Sequence, residues 1–133
     1  MKPDAEGKPQ GFSLRSRFKS FGYAFSGLGL LLKAEHNAWI HFAATISTIA
    51  VSFALGISVS DWRWIVLAIG LVWSAEAFNT AIEGLCDIVS PGFDERIRVV
   101  KDVAAGGVLV FAAAAALIGV LTLGPYFLVL LDL

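Results

Sequence analysis

Charged side chains are scarce in this chain. Only 16% of its 133 residues are Asp, Glu, Lys or Arg, against roughly 25% in soluble domains. The hydrophobic share is 57% and the mean hydropathy is +0.76. A soluble fold of this length lacks the interior to hide so much apolar surface. The composition therefore points to one all-α domain embedded in a membrane. Cys86 is the lone cysteine, which excludes an internal disulfide framework, and it reads as a small buried hydrophobe. His36, His41 and Cys86 have no ligand spacing, so zinc is not expected. No GxxxxGK[ST] or GxGxxG loop is present, so the nucleotide cradle of a soluble kinase is missing. A net charge of −1 argues neither for nor against nucleic acid, and no nucleic-acid partner is expected. The basic, polar start of the chain has no apolar core followed by a small-residue cleavage site, so no signal peptide is expected.

Long apolar stretches are what the chain does have. A membrane helix needs about 20 mostly apolar residues, and three spans satisfy this at about residues 39–59, 62–86 and 101–123. Ser60-Asp61 is expected to break the first run, with Trp62 and Trp64 as interfacial anchors. Ser90-Pro91-Gly92 ends the second span, and Gly124-Pro125 the third. The run of alanines from Ala112 to Ala116 reads as helix-packing surface. Residues 1–11 are expected to be disordered, leaving 12–133 as the single domain. Before the first span, Leu14, Phe18, Phe21, Phe25, Leu28 and Leu32 recur at helical spacing beside a basic and small stripe of Arg15, Lys19, Gly22, Ser26, Gly29 and Lys33. This is the pattern of an interfacial amphipathic helix. A helix packed on the bundle without a functional role has the same pattern.

Orientation follows from counting Lys and Arg. The N-terminal arm holds Lys2, Lys8, Arg15, Arg17, Lys19 and Lys33; the first loop holds Arg63; the second holds Arg96, Arg98 and Lys101; the C-terminal tail holds none. The N-terminus and second loop are thus expected in the cytoplasm, and the C-terminus outside.

Against this apolar background the second span carries a row of polar groups. Glu76, Asn79, Glu83 and Asp87 fall on one helical face, with Thr80 beside them. The rise from Trp62 is about 21 Å to Glu76 and about 31 Å to Glu83, which puts Glu76 inside the hydrocarbon and Glu83 near the cytoplasmic boundary. A carboxylate at that depth is costly unless it faces protein, water or a cation. No basic residue lies between Trp64 and Arg96 to pair with these acids. Helix-packing hydrogen bonds are the ordinary alternative, but Asn79 and Thr80 alone would supply them. The topology also brings Glu35, Lys101 and Asp102 to the same membrane face. Carboxylates close to a lysine suit a magnesium–phosphate ligand, and burial suits Glu76 to general-base work.

The segment Glu76-Ala-Phe-Asn79-Thr-Ala-Ile-Glu83-Gly-Leu-Cys-Asp87 resembles the E-x-x-N-[ST]-[SA]-[IV]-E-x-x-x-D signature of the bacterial membrane diacylglycerol kinase and undecaprenol kinase family. Lys101-Asp102 follows at the family's distance, and the likeness runs from about residue 17 to 118. It implies a three-span homotrimer in the bacterial inner membrane that transfers the γ-phosphoryl group of Mg-ATP to a lipid hydroxyl. By that resemblance Glu76 is the catalytic base and Asn79 orients the reacting groups. Glu35 and Glu83 hold Mg²⁺ with ATP. Asp87, Tyr23, Lys101 and Asp102 lie toward the nucleotide, and Gly92-Phe93-Asp94 covers it. An arginine that some members place early in the interfacial helix aligns here with Ser16, and Arg17 stands one position away. Glu35-x-Asn37-x-x-Ile40-His41 and Lys101-Asp-Val-Ala-Ala-Gly106 are similar to the undecaprenol kinase branch, so undecaprenol is the expected acceptor, with diacylglycerol the alternative. Two other classes stand beside the kinase. One is a proton-coupled transporter, which explains an intramembrane glutamate but not Lys101-Asp102. The other is a non-catalytic subunit of a larger complex.

Overall fold

The computed structural model describes residues 13–132, with Ala34 by its backbone alone. The segment 1–11, expected to be disordered, lies outside the described residues. Those residues form four helices and no strand: α1 (Leu14–Ala34), α2 (His36–Leu55), α3 (Val59–Val89) and α4 (Glu95–Leu130). The last three are each long and apolar enough to cross a membrane. The chain divides into two compact units, Met1–Leu30 and Leu31–Leu133.

Within the first unit, Ser13 starts α1, its hydroxyl accepting from the Ser16 N–H at 3.4 Å. The Phe18, Phe21 and Phe25 stripe is exposed, and Lys19 Nζ lies 5.9 Å over the Tyr23 ring.

The second unit begins as α1 ends. Glu35 is the single residue between α1 and α2, in extended conformation, and its side chain makes no capping bond. Its carboxylate is therefore not committed to the helix it precedes.

The first turn differs from expectation. The helix stops at Leu55 rather than Val59, because Gly56 takes the left-handed conformation (φ 61°) that closes a helix at low cost. Ser60-Asp61, expected as the break, lies instead in the first turn of α3. Ser58 caps that turn by accepting from the Asp61 N–H at 3.2 Å, and its hydroxyl donates to the Asp61 carboxylate at 2.6 Å.

Helix α3 has 31 residues, about 46 Å in length, and stops before Ser90-Pro91-Gly92 as the sequence implies. Helix α4 starts at Glu95, before the expected Lys101, with Asp94 as its N-cap. It also runs through Pro125 to Leu130 instead of ending at Gly124-Pro125. Proline removes one backbone donor, and Tyr126 offsets this by tying the helix end to α3. Its hydroxyl donates to Asp61 at 2.6 Å and accepts from the Ser58 N–H at 2.9 Å.

Helix α3 packs chiefly on α4, with α2 against both. Ile65, Ala68, Val72, Glu76, Asn79 and Cys86 are the buried residues of α3. They recur at helical spacing, so the acidic row continues the same face that packs the apolar core. Cys86 is buried and free, as expected. Trp73 Nε1 donates to Thr45 Oγ1 at 3.0 Å, joining α3 to α2 midway.

Candidate active site

Glu76 is the most enclosed charged group described, 1% exposed, and neither of its carboxylate oxygens has a hydrogen-bond partner. Its position follows from the periodicity of α3: Val72, one turn earlier, and Asn79, one turn later, are buried too. His41 of α2 lies beside it, with Nε2 at 3.7 Å from Glu76 Oε2. That is beyond hydrogen-bonding distance. Glu35 precedes α2, the helix that carries His41, and Glu83 lies two turns after Glu76 on α3. A cavity of about 230 Å³ opens beside Glu76, lined also by Asn37, His41, Asn79 and Ala105. A second cavity of about 550 Å³ adjoins it, sharing His41 and Ala112, and its other walls include Thr45, Val72, Ala115 and Gly119.

Toward the end of α3 the row becomes accessible. Asn79 Nδ2 donates to Glu83 Oε1 at 3.1 Å, while Asn79 Oδ1 has no partner. Asp87 is mostly exposed, and its Oδ1 lies 2.5 Å from Lys101 Nζ. Lys101 also feels the charge of Glu83. Along this face the contacts are pairwise: His41 beside Glu76, Asn79 on Glu83, and Lys101 on Asp87.

Of the remaining expected residues, Asp102 and the 92–94 loop make other contacts within the second unit. Asp102 turns to Arg98, whose Nη1 donates to it at 2.9 Å, and Arg98 also pairs with Glu95. Asp94 is committed as the N-cap of α4, accepting from the Arg96 backbone at 2.8 Å and from its guanidinium. The Arg96 guanidinium holds the Asp94 carboxyl below the usual carboxylate range. Phe93 is 87% exposed, and Gly92 accepts from the Ser90 hydroxyl at 3.3 Å. Ser16, Arg17 and Tyr23 belong to the other compact unit.

Among the described residues, no three His, Cys, Asp or Glu side chains gather closely enough to cage a metal ion. The donors present are separate carboxylates close to a lysine. That set fits Mg²⁺, which takes one or two carboxylates and completes its shell with phosphate oxygens and water.

A sequence model for prokaryotic diacylglycerol kinases matches residues 22–123. The chain belongs to this family. An undecaprenol kinase from Bacillus subtilis is 36% identical over 108 residues, covering 81% of this chain and 88% of its own length. A diacylglycerol kinase from Synechocystis is 32% identical over 101 residues, covering 75% of this chain and 58% of its own. As a prokaryotic diacylglycerol kinase family member, the protein is a bacterial membrane-embedded lipid kinase.

The sequence presents His41 only as a histidine without zinc-ligand spacing and as a branch marker, whereas the structure sets it beside Glu76. His41 is part of a polar line on α2, with Asn37, Thr45, Thr48 and Ser52 at spacings of three or four residues. A polar stripe along an otherwise apolar helix is the signal that marks it.

Proposed function

We propose that this lipid kinase transfers the γ-phosphoryl group of Mg-ATP to the hydroxyl of undecaprenol, working as a homotrimer in the inner membrane. The observation that carries the chemistry is the graded acidic face of α3. Glu76 is sealed from solvent beside a cavity, whereas Asp87 and Lys101 stand at the accessible end.

Glu76 accepts the proton of the lipid hydroxyl. The hydroxyl oxygen bonds to the γ-phosphorus as the bridging bond to the β-phosphate breaks, and ADP leaves with that electron pair. Lys101 neutralises phosphate charge, and Asn79 keeps Glu83 in place through its amide. Glu35 and Glu83 would hold Mg²⁺, which would supply charge neutralisation for the phosphates. Such a transfer relies chiefly on positioning and charge. The larger cavity, walled by Val72, Ala115 and Gly119, takes the first part of the acceptor's apolar chain. The excess of Lys and Arg in the N-terminal arm and second loop supports a cytoplasmic nucleotide site, with the C-terminus outside.

The undecaprenol kinase relative covers more of both chains than the diacylglycerol kinase relative does, which favours a polyprenol. Purified protein with labelled ATP is offered undecaprenol, diacylglycerol and ceramide in matched micelles. Magnesium-dependent labelling of undecaprenol at the highest kcat/KM is expected. Preference for diacylglycerol would transfer the assignment to that acceptor, and no labelling of any lipid would refute the reading.

A further inference from the structure

Glu76 is a buried carboxylate without a hydrogen-bond donor on either oxygen. A general base in that condition has no means of fixing which oxygen faces its substrate. Asn79 is the amide one turn away, but its Nδ2 is engaged by Glu83. His41 is the one described group that an ion-pair distance places beside Glu76. His41 is itself largely enclosed, with a side chain 16% exposed, and it lines both cavities.

We propose that His41 is a positioning residue for the transfer: its Nε2 holds one oxygen of Glu76 so that the other oxygen faces the acceptor hydroxyl. The proposal rests on the assignment of Glu76 as the base. The 3.7 Å separation needs to shorten by about 1 Å to reach the range of a charge-assisted bond. Contacts of catalytic groups commonly tighten by such amounts when substrate is bound. The two residues sit on different helices, so the contact also sets the spacing of α2 and α3 where the small cavity opens. The Trp73–Thr45 hydrogen bond, one turn along each helix, limits how far that spacing drifts. A group held on Glu76 from the α2 side leaves the remainder of the cavity, between Asn79 and Ala105, for the hydroxyl.

The test compares His41→Gln, His41→Leu, Glu76→Gln and the double variant Glu76→Gln with His41→Leu, each checked for thermal stability in detergent. His41→Leu is expected to lower kcat by about 10- to 100-fold, the scale of a misplaced catalytic group, with KM for Mg-ATP unchanged. His41→Gln, which keeps an N–H donor near the same place, is expected to recover most of that loss. The double variant is expected to be no slower than Glu76→Gln, because His41 acts through Glu76. Wild-type kcat in His41→Leu overturns the proposal. So does a His41→Gln variant as slow as His41→Leu, or an effect confined to KM for Mg-ATP or to stability. Turnover close to wild type in Glu76→Gln refutes the base assignment itself. An inactive Glu76→Gln beside a fully active His41→Leu refutes only the role of His41.

Discussion

Lys101 Nζ lies 2.5 Å from Asp87 Oδ1, joining the last turn of α3 to the second turn of α4. The lysine is thereby held against the exposed end of the acidic row, within the field of Glu83. A phosphate binding there competes with Asp87 for Lys101. A hydrogen bond to a charged group contributes about 1.5–3 kcal/mol. Lys101→Met should therefore raise KM for Mg-ATP roughly 10- to 100-fold. Asp87→Asn should have a smaller effect, since it frees the lysine. Steady-state kinetics with varied ATP at saturating lipid measure both.

Glu76 combines activity with a stability penalty. General-base catalysis contributes about 100- to 10,000-fold, so Glu76→Gln should lose at least about 100-fold in kcat. The same change removes an unpaired buried carboxyl, which is unfavourable in an apolar setting. The inactive variant should therefore survive heating in detergent as well as the parent or better. A variant that loses both activity and thermal resistance would count against the buried, unpaired state of this group.

The larger cavity gives the acceptor chain a testable location. Ala115 lines it and can be enlarged without disturbing Glu76. Ala115→Leu should raise KM for a long-chain acceptor about fivefold or more, on the scale of overpacking, and leave KM for Mg-ATP unchanged. Equal effects on both substrates would place the chain elsewhere.

At the other end of the bundle, Tyr126 bonds both Ser58 and Asp61. Removing its hydroxyl should cost about 1 kcal/mol without changing transfer, because this contact is remote from Glu76. Thermal inactivation rates and lipid-dependent turnover of Tyr126→Phe separate the two effects.

The start of α4 should depend on pH. Arg96 depresses the Asp94 carboxyl below its ordinary range in the folded state. Its contribution is then fully present above that range and is lost as pH falls through the depressed value. Amide exchange over the first turn of α4 should speed up in acid. Asp94→Asn, which keeps an N-cap acceptor but no charge, should flatten that dependence.

Local pattern in the sequence was sufficient for the membrane class, the three spans and the acidic face of α3. Hydropathy over about 20 residues and recurrence at about 3.6 residues per turn are properties of contiguous chain. They put Glu76, Asn79 and Glu83 on one side of a helix whatever that helix meets. The closing of α2 at Gly56 and the capping pair Ser58 and Asp61 were also readable in principle, as a glycine stop followed by a Ser-x-x-Asp start.

What faces that row was decided by the tertiary structure. The rotation and register of α2 against α3 bring His41, rather than another member of its polar line, to Glu76. The pairing of α3 with α4 sends Lys101 to Asp87, while Asp102, the next residue, points to Arg98. Helix α4 runs through Pro125, and Tyr126 ties its end to partners 65 and 68 residues earlier in the chain. Contacts between helices depend on rotations and offsets that many apolar sequences accommodate, so no local window encodes them. The chain itself determined which face of α3 is acidic, and the packing determined which side chains meet it.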